Sequence, residues 1–262
     1  MEVSVDGDTS DDRGELCVLD IADDPSTPAT HTRLSENVGR IVYVSIDAGV
    51  YDEDDYCSPP GLLDLLPRLP SGDWNRGHIT RTEERPEPHF AWTRSADLPG
   101  ITPIWHSRQV EFSRLEICNT LMPNVAEASH PELGDVIAKY ARFEWEVASY
   151  QSETEVYQWL HGHNMGPNFL GHLTEGGRVI GFLLQKLSGR RACSQDLARC
   201  EDVVRKLHSL DILHSDVNRH NFLVNDEHVV LIDFETSVGS QDDGEKTKEL
   251  QSLKKELLDD SG

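Results

Sequence analysis

The chain has 262 residues and a formal net charge of −23, from 47 Asp and Glu against 24 Lys and Arg. That balance excludes the clustered Lys and Arg that displace counterions from nucleic acid, and equally the polybasic patch of a membrane anchor. A hydrophobic content of 37% is enough for a packed core but low for a chain ordered from end to end. The first residues lack the basic and apolar segments of a secretory signal, and the apolar run at 179–184 is far below the roughly 18 residues that cross a bilayer. The expectation is a cytoplasmic protein, with the nucleus as the alternative compartment, that has no nucleic-acid and no membrane partner. Five scattered cysteines without a C-x-x-C pair read as idle or buried thiols, not as a disulfide frame or a zinc site.

In chain order, residues 1–60 hold 15 acidic and 3 basic side chains, a local net of 3 − 15 = −12. Residues 1–38 are predicted to be a disordered acidic tail, and 39–71 a linker or docking segment. The latter contains a strand-like stretch at 41–46 and a short helical turn at 62–66. From Gly72 short strand-like runs follow one another. Residues 78–81 and 88–92 flank a polar turn as a hairpin. Residues 110–117 and 136–143 alternate with period two, and 124–128 supply a strand between them. The alternation puts Lys139 on the pleat face opposite Ala138 and Tyr140. A helix is predicted from Ser152, with Glu153 and Glu155 in its first turn and Val156, Trp159 and Leu160 as its buried stripe. Residues 169–173 and 178–184, joined by Thr174-Glu175-Gly176-Gly177, form the clearest hairpin. Leu197, Cys200, Val203, Val204, Leu207 and Leu210 then mark a helix, and residues 246–259 another, striped by Leu250, Leu253, Leu257 and Leu258. Strands first and helices later make the expected fold class α+β.

The segment 214–224 (HSDVNRHNFLV) sets a carboxylate and a carboxamide five apart in a loop, and 229–235 (VVLIDFE) ends a short buried hairpin on a second carboxylate. Converging oxygen donors at a loop and a strand end suit a magnesium–phosphate complex, because magnesium takes hard oxygen ligands and keeps substrate phosphates in its shell. A carboxylate that accepts a proton completes a site for phosphoryl transfer.

The order H-x-D-x-x-x-x-N, strand, D-F-x resembles the catalytic loop and metal-binding turn of the protein-kinase-like superfamily. It is closer to aminoglycoside phosphotransferases and minimal atypical kinases than to ordinary protein kinases. The stretch from about 70 to 260 also resembles filamentous-fungal kinase-like proteins, some of which carry an "alpha-galactosidase A" label. A glycosidase would call for a longer secreted barrel with paired carboxylates.

The resemblance implies a bilobal fold: a strand-rich N-lobe with helix and hinge at 72–187, and a truncated helical C-lobe at 188–262. It implies ATP and Mg2+ as cofactors and a small-molecule or protein acceptor. Asp216 would align the acceptor hydroxyl, while Asn221 and Asp233 would hold the metal. Val136-Ile137-Ala138-Lys139 is similar to the V-A-I-K strand, which makes Lys139 the phosphate-binding lysine. Its ion-pair partner on the next helix would be Glu153 before Glu155, since 153, 156 and 160 share a face. Residues 184–189 resemble a hinge, where Gln185 and Leu187 would meet adenine. His214 would fix the loop structurally.

Departures from the pattern set an alternative beside catalysis. Residues 120–124 (TLMPN) stand where a glycine-rich phosphate loop is expected. Ser215 replaces the arginine before the catalytic aspartate, Asn218 replaces a lysine, and Glu235 stands where many relatives have glycine. Only 27 residues follow Glu235, too few for a full substrate-binding half. A pseudokinase that binds nucleotide or serves as a scaffold is therefore the second expectation.

Overall fold

The computed structural model describes residues 16–36 and 39–258, which build a strand-rich α+β architecture. The chain divides between Asp97 and Leu98 into two units.

The first unit is a five-stranded sheet of β1 (Leu16–Asp23), β2 (Thr30–Glu36), β3 (Arg40–Ile46), β4 (Arg76–Thr80) and β5 (His89–Arg94), in that order. All neighbours are antiparallel except β3 and β4, which run parallel with Tyr43 opposite Arg76. A parallel pair needs a crossover, and this one carries α1 (Glu53–Tyr56) and α2 (Pro59–Leu65). Strand periodicity collects Leu34, Val42, Val44, Ile46 and Ile79 with Leu62 into one core.

This sheet corrects the expected division of the chain. Residues 16–36 form the hairpin of β1 and β2, although they were expected within a disordered tail at 1–38; residues 1–15 and 37–38 lie outside the described part. Apolar packing outweighs local acidity: Leu16, Val18 and Ile21 lie against the core, and Asp20 meets the fully buried Arg33 at 2.8 Å. The 41–46 run is a central strand, not a linker, and the hairpin at 76–94 pairs with it. The strands of the second unit thus begin after residue 97, not at 72.

The second unit opens on a six-stranded sheet ordered β6 (Gln109–Glu111), β10 (Phe169–Glu175), β11 (Arg178–Gln185), β9 (Gly134–Tyr140), β8 (Val125–His130), β7 (Glu116–Met122). The run 110–117 is not one strand. A 3-10 turn at Phe112–Arg114 breaks it, so its two halves lie at opposite edges of the sheet. Helix α3 (Val147–Leu160) follows β9 and starts five residues before Ser152. The Glu146 carboxylate accepts the Arg142 and Phe143 N–H groups and fixes the entering turn, while Ser152 Oγ donates to the Ala148 carbonyl as a mid-helix serine does. Trp159 is exposed; the buried face runs through Tyr150, Glu153, Val156, Tyr157 and Leu160.

After β11 come β12 (Arg190–Arg191), α4 (Leu197–His208), β13 (Ile212–Leu213), β14 (Phe222–Val224), β15 (Val229–Leu231), β16 (Val238–Gly239) and α5 (Asp243–Leu258). Strands β12, β14 and β15 form one small sheet, and β13 and β16 another. Phe182 and Tyr157 share one apolar cluster with Val204, Leu207, Phe222, Phe234 and Leu253, which ties sheet, α3, α4 and α5 together.

One buried histidine gives this unit a pH dependence. His172 on β10 is fully buried, and its Nε2 accepts the backbone N–H groups of Trp105 and His106, both at 3.2 Å. The proton must sit on Nδ1, which is buried without a partner. Burial, aided by neighbouring His106, lowers its pKa from 6.5 to about 4. A histidine held neutral in the fold stabilises fully above its unfolded pKa, and that contribution is lost as pH falls from about 6.5 through 4. The expected cost is about 2–3 kcal/mol, read as the pH slope of urea unfolding. His172→Gln is expected to flatten this slope; equal slopes in both proteins would refute the assignment.

Candidate active site

Period-two alternation on β9 turns Lys139 toward α3, and the next helix turns Glu153 to meet it. Lys139 Nζ lies 2.8 Å from Glu153 Oε1 as a directed hydrogen bond and 2.7 Å from Oε2 as an ion-pair contact. The same amine donates to Asp233 Oδ1 at 2.9 Å. Three residues predicted from widely separated motifs therefore meet at one nitrogen. Glu153 is fully buried and also accepts the Phe234 N–H at 3.2 Å, so it locks the residue beside Asp233 as well. Burial opposes the Lys139 charge, but Glu153 and Asp233 outweigh it and hold its pKa above the ordinary value. Glu155 forms no part of this group; its helix position points elsewhere, as the spacing argument required.

The loop from β13 to β14 builds the other side. Asp216 is exposed, with Oδ1 accepting Asn218 Nδ2 at 2.9 Å and Oδ2 accepting Asn221 Nδ2 at 2.8 Å. The Asn221 amide nitrogen also donates to the Asp216 carbonyl at 2.9 Å. This leaves Asn221 Oδ1 as the only atom of that side chain able to ligate a cation. The Ile232 N–H donates to the Asn221 carbonyl at 2.9 Å, which ties the loop to the strand end that carries Asp233. Asp233 itself has φ +66° and Ser215 also has φ +66°, so both residues flank the site in the left-handed region that side chains rarely occupy.

His214 holds that backbone through hydrogen bonds, the structural role expected of it, and Glu249 adds a support that was not foreseen. His214 is buried, donates from Nε2 to the Ile232 carbonyl at 3.0 Å, and receives the Thr236 and Ser237 hydroxyls at its own carbonyl. Burial keeps its imidazole below the ordinary pKa. Glu249 on α5 accepts the Ser215 N–H at 2.6 Å with one oxygen and meets His208 Nε2 at 2.6 Å with the other. Both side chains are buried. Sequence patterning treated Glu249 as the polar face of an amphipathic helix. Its place four residues before Leu253, on the apolar stripe, was the available signal.

The residues expected to form a hinge, Gln185 and Leu187, sit at and just past the end of β11. The Gln185 N–H donates to the Asn168 carbonyl at 2.9 Å, and its side-chain oxygen accepts Asn168 Nδ2 at 2.9 Å. Leu187 is half-buried two residues on. In place of a glycine loop, β7 and β8 turn through Pro123 and Asn124, and the Asn124 carbonyl accepts the N–H of Tyr140, the neighbour of Lys139. An open groove of about 650 Å³ runs beside Asp216, lined on its far side by Lys248, Glu249 and Ser252 of α5.

A lysine on a sheet strand, paired with a glutamate on the following helix and facing an aspartate at a strand end, is the arrangement of kinase-like phosphotransferases. A comparison by family model agrees at that level. Residues 183–261, from the end of β11 onward, match the lipopolysaccharide kinase (Kdo/WaaP) family. That span holds Asp216, Asn221 and Asp233, whereas Lys139 and Glu153 lie outside it. Among the described residues no helix is long and apolar enough to cross a membrane.

Proposed function

We propose that this chain is an Mg2+- and ATP-dependent phosphotransferase that moves the γ-phosphate to a hydroxyl of a small molecule or protein, built as a bilobal kinase-like domain with a reduced C-lobe. The observation that carries this reading is the convergence of Glu153 and Asp233 on Lys139 Nζ, at 2.7–2.9 Å. In this reading Lys139 binds the α- and β-phosphates, Asn221 and Asp233 hold the metal, and Asp216 aligns the acceptor in the groove beside it. Gln185 and Leu187 supply backbone groups to the base.

The donor set fits the cation. Asp233 is half exposed, and Asn221 offers a hard carboxamide oxygen. Among the described residues no group of three His, Cys, Asp or Glu could hold a metal unaided, which suits an ion that arrives with nucleotide phosphates completing its shell. When bound, it would neutralise charge on the transferred group. In this reading the protein is placed in the cytoplasm, with neither a membrane nor a nucleic acid as partner.

The second reading is a pseudokinase. It is favoured by the Pro123-Asn124 turn, whose carbonyl is committed to Tyr140 where a phosphate loop would present N–H groups. Thermal unfolding with ATP, with and without Mg2+, tests nucleotide binding. A hundredfold excess over Kd stabilises by about 2.7 kcal/mol, several degrees in a chain of this size. Asp233→Ala is expected to abolish the magnesium-dependent part. A wild-type shift that is the same without Mg2+ would remove the metal roles of Asn221 and Asp233.

A further inference from the structure

The sheet face that carries Lys139 continues away from it toward the hinge, and its register is fixed. On β8 and β9, Val125 lies opposite Lys139 and Glu127 opposite Ile137; on β9 and β11, Lys139 lies opposite Phe182 and Ile137 opposite Leu184. Residues two apart on a strand share a face, so Val125, Glu127, Ile137 and Lys139 all look to the side where Asp233 lies. Phe182 and Leu184 on this face are buried in the core, while Val125 and Ile137 are only half-buried. These two are the apolar surface on which a planar base could rest between Lys139 and the hinge.

Glu127 stands at the hinge end of that surface, where an apolar side chain would serve a base better. It is paired: Lys186 Nζ reaches Glu127 Oε2 at 3.2 Å. Lys186 is the residue between Gln185 and Leu187, and β9 separates β8 from β11. The bridge therefore crosses over β9, at Ile137, from hinge to β8. Nothing in the phosphate-binding or acceptor chemistry requires it.

We infer that the Lys186–Glu127 bridge is an autoinhibitory latch across the base end of the nucleotide cleft, which must open before a nucleotide can seat. This inference rests on the nucleotide-binding reading above. Both side chains are about one third exposed, so the latch is weak and its removal is worth about a two- to fivefold gain in affinity.

The test is equilibrium titration of the full chain with Mg2+ and a fluorescent ribose-labelled ATP, on wild type, Lys186→Ala, Glu127→Ala and the double variant. A latch predicts that both single variants bind about two- to fivefold more tightly, and that the double variant is no tighter than the better single. One substitution removes a cation and the other an anion. Through-space charge alone would therefore shift the affinity for polyanionic ATP in opposite directions. Opposite shifts, or none in either variant, overturn the latch and leave the nucleotide reading standing. Binding by none of the four proteins overturns the nucleotide reading and the latch with it.

Discussion

Asp216→Ala is expected to lower Mg2+–ATP turnover by about 10²–10⁴-fold, the range associated with a positioned acid–base group. Nucleotide affinity is expected to stay within about twofold, because Lys139 and the Asn221 and Asp233 oxygens remain. The carboxylate is exposed, so removing it creates no cavity. It does strand the two carboxamides that now donate to it, Asn218 and Asn221, at a cost of about 1 kcal/mol in a half-open setting. Its present hydrogen bonds use one lone pair on each oxygen, and a carboxylate has about four sites, so an acceptor hydroxyl can approach from the groove without displacing either amide. The measurement is ATP turnover under saturating Mg2+, with urea unfolding as the check on the fold. Wild-type turnover that survives Asp216→Ala would sink the assigned role. A wild type that binds Mg2+–ATP without turnover would select the pseudokinase reading.

The site was legible where chemistry confines residue type. The resemblance to the kinase-like catalytic loop and metal turn singled out Asp216, Asn221 and Asp233, and the resemblance to the V-A-I-K strand singled out Lys139. Glu153 over Glu155 needed only helical periodicity, even though the helix itself begins at Val147 and not near Ser152. In the unit before residue 98 the 41–46 strand, the helical turn at 62–66 and the hairpin near 78–92 were legible, but the sheet that joins them was not, because it depends on pairings between distant segments: β3 with β4 across the 29 residues between Ile46 and Arg76, and Asp20 with Arg33. Acidity is a property of composition, and it gave no sight of those contacts. The same limit hid Glu249. A carboxylate that caps a loop amide 34 residues away looks in sequence like any other solvated helix charge. The break at Phe112–Arg114 did leave a trace, because the apolar positions change phase there, from Val110 and Phe112 to Leu115 and Ile117, and a single strand cannot keep both pairs on one face.

Lys139→Ala carries the largest expected cost to stability, because it removes the cation from a carboxylate that water cannot reach. Glu153 is fully buried, and its remaining directed contact is the Phe234 N–H. Breaking a buried pair from one side costs about 3–5 kcal/mol, whereas replacing both partners with apolar groups of similar size is often close to neutral. Lys139→Met with Glu153→Leu is therefore expected to unfold at higher urea than Lys139→Ala, although both variants lose phosphate binding. The pH dependence separates this mechanism from simple loss of packing. Burial already pushes the Glu153 pKa upward against the pull of Lys139; without the lysine, Asp233 adds to that rise and the Phe234 N–H is left to oppose it. A buried carboxyl with a raised pKa is penalised most above that pKa, and the penalty is relieved as pH falls toward the unfolded value of about 4.3. Lys139→Ala is thus expected to regain stability relative to wild type as pH is lowered from 7 to 5, measured by urea midpoints. A constant deficit across that range would show that Glu153 is not the residue left exposed to the cost, and would turn attention to the packing of the lysine stem on β9.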